Sequence, residues 1–203
     1  MRIIILGDRF KKGLKSKGCP GLIRANGDRS TIFDKQYHVF NQKFPNCEII
    51  YVAGYDCKRL RHFIKKNYQD KKIVVLKNTD YERFNDVQSL NIAKEYLNDS
   101  CIIVSGYITP SMVTFDSLDK IYSQVFVTNK ETSIGCVVNN KIVSNISFGL
   151  QNYISDIYYI NKDDSLKLQK LIGVDSNKNC FLFEILNKII EQDSIIKTHN
   201  IKE

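Results

Sequence analysis

The residues best placed to do chemistry stand directly after the first apolar run. Ile3-Ile4-Ile5-Leu6 leads into Gly7-Asp8-Arg9. From there to Arg29 the chain is crowded with cations: Arg9, Lys11, Lys12, Lys15, Lys17, Arg24 and Arg29, against Asp8 and Asp28. Such a segment reads either as solvated surface charge or as a loop that grips phosphate oxygens through glycine amides and basic side chains. The whole chain leans the same way, with a net charge of +8 over 203 residues. That excess favours anionic partners: nucleotides, sugar phosphates, nucleic acid or acidic membrane surfaces.

Other chemistries find little support. His38, His62 and His199 are scattered, with no nucleophile–base or metal spacing. No G-x-S-x-G, H-E-x-x-H or Walker-type loop is present. The cysteines Cys19, Cys47, Cys57, Cys101, Cys136 and Cys180 form no C-x-x-C pair, and most stand beside apolar residues. They read as reduced, buried thiols in a reducing, cytoplasmic setting. Lys58-Arg59-Leu60-Arg61 and Lys65-Lys66 fall on one expected helix. Without a nucleic-acid motif this reads as a solvated face, and nucleic acid is not the expected partner. The opening apolar run is too short for a signal peptide or a membrane span, and nothing later reaches spanning length. Hydrophobic content of 43% with 26% charged residues is ordinary for a globular chain.

The elements that would position Gly7 and Arg9 alternate regularly. Wholly apolar strands are expected at Ile3–Leu6, Ile49–Ala53, Ile73–Leu76 and Cys101–Val104. Helices are expected from a Thr31 cap to Phe44, over Lys58–Asn67, and over Asp86–Leu97 with Asn85 as N-cap and Gln88 three residues on. On the third helix Val87, Leu90, Ala93 and Leu97 share one face. Four strands in this alternation imply a parallel sheet with right-handed crossovers. Ligands of such sheets sit at the carboxyl ends of the strands, where Gly7, Gly54, Asn78 and Gly106 would form a rim. The second half is antiparallel in character. Strands are expected at Val125–Thr128, Ile134–Val138 and Lys141–Ile146, with a hairpin turn at Asn139-Asn140, and again at Ile154–Ile160. A helix capped by Asp163 ends at Gly173, an amphipathic helix covers Phe181–Glu191, and Ile195–Ile201 would be a final edge strand. The expectation is one α/β domain with a Rossmann-like, mainly parallel mixed sheet. Residues 1–120 would form its nucleotide-binding half and 121–203 the half facing the second substrate.

Ordered segments of the chain resemble a family. Ile5-Leu6-Gly7-Asp8-Arg9, then Cys19-Pro20, then Leu22-Ile23-Arg24-Ala25-Asn26-Gly27 follow a pattern of L-x-x-G-x-G-x-R, Lys-Pro and I-x-x-N-G. Ile49 to Tyr55 follows its I-x-V-V-x-G-Y strand, and Asn78, Tyr81, Asn85, Ser89, Leu90 and Ala93 keep every spacing of N-x-x-Y-x-x-x-N-x-x-x-S-L-x-x-A. Asp156–Ile160 and Phe181–Leu186 match later pieces, so the likeness covers nearly the whole chain. It is to the small nucleotidyltransferases that activate sugar phosphates or phosphocholine, with a GT-A-like fold. The resemblance implies transfer of a nucleotidyl group from a nucleoside triphosphate to a sugar phosphate or similar small phosphate. It implies that Leu6, Gly7 and Arg9 lie along the nucleotide and its phosphates, that Asn85 and Ser89 lie near the base or second substrate, and that Gly106 closes the rim. It also implies Mg²⁺ held by two aspartates. Three positions depart from the pattern. Cys19 replaces the Lys of Lys-Pro, with Lys17 two residues away as a possible substitute. Tyr107 follows Gly106 where the first metal-binding Asp belongs, and Lys202 stands where the second would fall. Asp99, Asp116 and Asp156 are nearby acids off the matched positions. The alternative expectation is a catalytically inactive homologue that binds a nucleotide, a sugar or a protein partner.

Overall fold

The computed structural model describes residues 1–9, 18–24, 27–69 and 71–201. Among the described residues nine strands form one mixed sheet: β1 (Arg2–Gly7), β2 (Glu48–Ala53), β3 (Ile73–Lys77), β4 (Cys101–Ser105), β5 (Ser123–Val127), β6 (Ile134–Asn139), β7 (Ile142–Phe148), β8 (Ile154–Ile160) and β9 (Ile196–Asn200). Their spatial order is β3-β2-β1-β4-β8-β5-β9-β7-β6. The first four run parallel. β8 then enters antiparallel to both β4 and β5.

Five α-helices among the described residues cover the two faces: α1 (Ile32–Lys43), α2 (Cys57–Asn67), α3 (Asp86–Ile92), α4 (Lys162–Ile172) and α5 (Leu182–Ile190). Side chains alternate across a strand, so neighbouring residues of β1 feed different cores. Ile4 packs with Val87, Leu90 and Leu186 under α3, α4 and α5. Ile3 and Ile5 pack with Phe33, Phe40 and Leu60 under α1 and α2. This explains the unbroken apolar run from Ile3 to Leu6: with helices on both sides, a polar side chain there would be buried without a partner. Full burial of such a side chain contributes roughly 1.5–3 kcal/mol.

Several details depart from the sequence expectation. The 195–201 segment is not an edge: β9 lies between β5, which it pairs in parallel, and β7. The edges are β3 and β6. Residues 86–97 are not one α-helix. α3 stops at Ile92 and a 3-10 turn, Lys94–Tyr96, follows. The tightening keeps both Ala93 and Leu97 in the core while the Lys94 carbonyl accepts from Gln169 Nε2 at 2.8 Å. Asn85 occupies the N-cap position of α3, but its side chain does not cap. The amide donates instead to the Asn179 carbonyl at 2.6 Å. The N-cap of α4 is Asn161, not Asp163, because its Oδ1 is the first side-chain acceptor after β8 and takes the Asp164 N–H at 2.9 Å. The β6–β7 turn is centred on Asn140-Lys141, with φ of +49° and +67°. Two positive values are what a two-residue hairpin of type I′ requires.

Other expectations match the structure. Thr31 caps α1 in a full capping box with Asp34. Ile154–Ile160 has the expected bounds. Cys19, Cys57, Cys101 and Cys136 are buried, and all six cysteines are free thiols. Among the described residues no helix is long and apolar enough to cross a membrane.

Candidate functional site

A cavity of about 200 Å³ opens at the carboxyl ends of β1 and β4. Leu6, Asp8 and Arg9 line it from the end of β1, and Ser105 and Tyr107 from the end of β4. Asp86 enters from α3, Asp156 and Tyr158 from β8, and Leu182 and Phe183 from α5.

Next to the cavity, two glycines let the strand ends approach closely. A Cβ on Gly106 would lie 2.5 Å from the Gly7 Cα. A Cβ on Gly7 would lie 2.0 Å from the Tyr51 hydroxyl, which fills the space beneath the rim. Tyr51 is wholly buried, and burial pushes its phenol well above the usual range. It stays neutral and acts as packing. Cys19 belongs to the same packing. Its Sγ lies 4.0 Å from the Tyr51 hydroxyl, and burial lifts the thiol to about 11. The residue at the Lys-Pro position is therefore a neutral core group.

Asp8 is the least expected feature of the cavity. Only 1% of it is exposed. Its Oδ2 accepts from Asn78 Nδ2 and from Ser89 Oγ, each at 2.6 Å. Asn78 is fixed in turn by accepting the Asp80 N–H at 2.9 Å and by donating its own N–H to the Ala53 carbonyl at 2.8 Å. The other oxygen, Oδ1, is buried with no hydrogen-bond partner among the described residues. Burial raises the Asp8 pKa above the ordinary carboxylate value, the two side-chain hydrogen bonds oppose this, and the nearby Asp86 charge adds to the rise.

Beside it, Arg9 Nη1 pairs with Asp86 Oδ1 at 3.1 Å, and both side chains are partly exposed. Asp156 sits within β8 at φ +56°. Holding a non-glycine residue in that region costs about 1–3 kcal/mol and is concentrated at functional positions.

Leu6 and Arg9 line the cavity, while Gly7 and Gly106 lie against each other and against Tyr51 at the strand ends. Ser89 stands behind Asp8, its hydroxyl spent on that carboxylate. Asn85 ties the start of α3 to the segment before α5. Lys17 and Lys202 lie outside the described residues. Sequence reasoning gave no role in the site to Asp8 or Asp86. The available signal was an acid directly after the glycine that ends β1, in a segment otherwise crowded with cations.

Mg²⁺ does not fit the matched position, because Tyr107 offers a phenol where a hard carboxylate oxygen is needed. Asp99 pairs with the terminal amine at 3.1 Å and Asp116 with Lys43 at 2.5 Å. Neither lines the cavity, though Asp156 does. Among the described residues no cluster of three or more His, Cys, Asp or Glu could hold a metal ion.

The parallel β3-β2-β1-β4 sheet continued by a mixed second half is the fold of solved nucleotidyltransferase structures. Among solved structures with this fold is the CTP:phosphocholine cytidylyltransferase of Streptococcus pneumoniae. The two share 16% identity with a TM-score of 0.77, over 100% of this chain and 90% of that one. The inositol-1-phosphate CTP transferase of T. maritima is similar at 15% identity and a TM-score of 0.77, over 98% of this chain and 84% of that one. A putative glucose-1-phosphate thymidylyltransferase of Bacillus anthracis gives 13% and 0.74, over 100% and 87%. No protein-family model and no curated protein matches the sequence.

Proposed function

We propose that this chain is a nucleotidyltransferase that joins a nucleoside triphosphate to a small phosphate monoester. The observation that carries the reading is the cavity at the carboxyl ends of β1 and β4, with Arg9 on its wall. In the reaction, a phosphate oxygen of the acceptor attacks the α-phosphorus of the triphosphate. The bond from that phosphorus to the β-phosphate's bridging oxygen breaks, and pyrophosphate leaves. Both reactants are anionic, so the barrier is largely electrostatic. Arg9 neutralises phosphate charge, and its ion pair with Asp86 holds the guanidinium in place. The close Gly7–Gly106 approach opens the backbone to the nucleotide. Residues 1–120 serve the nucleotide and 121–203 the acceptor, the two parts meeting at the β4–β8 pair.

Two observations favour a second reading, a protein that binds these ligands without joining them. Cys19 is a buried neutral thiol, and Tyr107 stands where a metal carboxylate belongs. Pyrophosphate release from a panel of triphosphates and phosphate monoesters, with and without Mg²⁺, separates the two. Release above the protein-free rate supports transfer. No release from any pair, in a sample that still binds nucleotide by calorimetry, leaves the binding reading.

A further inference from the structure

The positive charge of the chain is gathered on one flank. Between Asp56 and Lys77 the sequence holds eight lysines and arginines and two aspartates, so six of the net +8 falls in this stretch. It forms α2 and the edge strand β3. At about 100° per residue, Lys58, Arg59, Arg61, His62, Lys65 and Lys66 share one half of α2, while Cys57, Leu60 and Ile64 are buried on the other. Lys71, Lys72 and Lys77 carry the charge on to both ends of β3, and all eight cations are exposed. Cation-lined grooves flank the helix: Arg24, Arg59, His62 and Lys66 line one, and Arg61, Lys65 and Lys71 the other. Among the described residues only Arg59 of the eight has an ion-pair partner, Asp56 at 3.5 Å. Like charges held this close repel one another, and an anionic surface laid over them removes that cost.

The surroundings narrow what can lie there. Arg61 donates through Nε and Nη2 to the Val75 carbonyl, at 3.3 and 3.0 Å, which blocks the middle of β3 against a further strand. Tyr68 packs on Phe33 and Tyr37 and donates its hydroxyl to Asp34, and Phe63 packs on Tyr68, so neither ring is free to stack a base. The apolar side of α2 is spent on the core, so the helix has no apolar face to insert into hydrocarbon. What remains is a broad array of mostly lysine point charges, suited to dense negative charge without fixed geometry.

We infer that this flank docks on an anionic bilayer surface, with the α2 and β3 cations against lipid headgroups and no insertion into the hydrocarbon. α2 covers the sheet face that packs with Ile3 and Ile5, whereas Ile103, Tyr158 and Phe183 of the cavity belong to the other face. A docked molecule keeps its cavity open to the aqueous side.

Co-sedimentation with phosphatidylcholine vesicles, alone or with roughly one-third phosphatidylserine, tests this at about 0.1 M salt. The protein should partition onto the phosphatidylserine vesicles at least about tenfold more strongly, and should lose this at about 0.5 M salt. Lys58→Ala, Lys65→Ala and Lys66→Ala together should lower the partition by about a hundredfold, at roughly fivefold per lysine. The same charge removed from other exposed positions, by Lys120→Ala, Lys162→Ala and Lys170→Ala, should leave it within about threefold of wild type. Equal partition onto the two vesicles, or an equal loss in the two triple variants, would overturn the inference. So would full displacement from the vesicles by polyuridylate of equal negative charge, which would make the flank a nucleic-acid surface. The comparison of the two vesicles with wild-type protein decides the matter even if the α2 variant fails to fold.

Discussion

Replacing Asp8 by asparagine should make the protein more stable near neutral pH, and by an amount that fades in acid. The side chain is buried, and among the described residues its ionised form has only one oxygen satisfied. Asparagine keeps an acceptor for Asn78 and Ser89 and removes the buried charge. An unsatisfied buried group costs about 1–3 kcal/mol, and part of that is returned by the loss of two charge-assisted bonds, so a net gain of about 1–2 kcal/mol is expected. For a chain of this length that corresponds to a rise in Tm of about 2–8 °C. The sign with pH follows from linkage. The folded Asp8 holds its proton more tightly than the unfolded one. Its favourable contribution is therefore complete below the unfolded value, near 4, and is lost as pH rises through the raised folded value. Wild type and variant should converge at the acid end and separate above. Urea melts across this range would measure the gap. A variant less stable at pH 7 to 8, or a gap that does not change with pH, would refute the reasoning.

Four further outcomes are expected. Arg9→Ala should weaken triphosphate binding by about tenfold, as loss of one charge-assisted contact does; calorimetry reads this, and unchanged affinity removes Arg9 from the phosphate site. Gly7→Ala should destabilise the fold by about 3 kcal/mol or abolish it, since the added methyl would meet the Tyr51 hydroxyl at 2.0 Å. Asp156→Gly should gain about 0.5–1 kcal/mol in chemical denaturation by relieving the positive φ, and a loss of stability would refute the strain. Asn187→Ala should cost about 2–4 kcal/mol, because the Asn187 amide satisfies both the N–H and the carbonyl of buried Ile146, at 2.9 and 2.8 Å.

The parallel half was legible because its strands are continuous apolar runs bounded by glycine or polar turns, and burial on both faces leaves no other option at Ile3–Leu6 or Cys101–Val104. The place of β9 was not legible. Ile196 to Asn200 alternates like an edge strand, and only the sheet order shows it flanked on both sides. The glycine rim could be read from position, since Gly7 and Gly106 each end a strand. Asp8 could not. Its neighbours in sequence are Gly7 and Arg9, whereas its partners Asn78 and Ser89 arrive from β3 and α3, and burial of a carboxylate leaves no trace in residue spacing. The role of Asn85 was misread for a similar reason: a capping residue and a residue that ties two segments together look identical until Asn179 is seen beside it.

The insertion of β9 also bears on how the chain matures. The β6–β7 hairpin joins the larger sheet through β9, with one isolated bridge from Gly135 to Tyr153 besides. During synthesis that hairpin emerges well before the strand that anchors it. Until β9 arrives, β5 and β7 each present an open row of amides and carbonyls. A nascent chain at that stage is a preferred client for chaperones, and slow translation before residue 196 would lengthen the interval in which two growing chains can pair with each other.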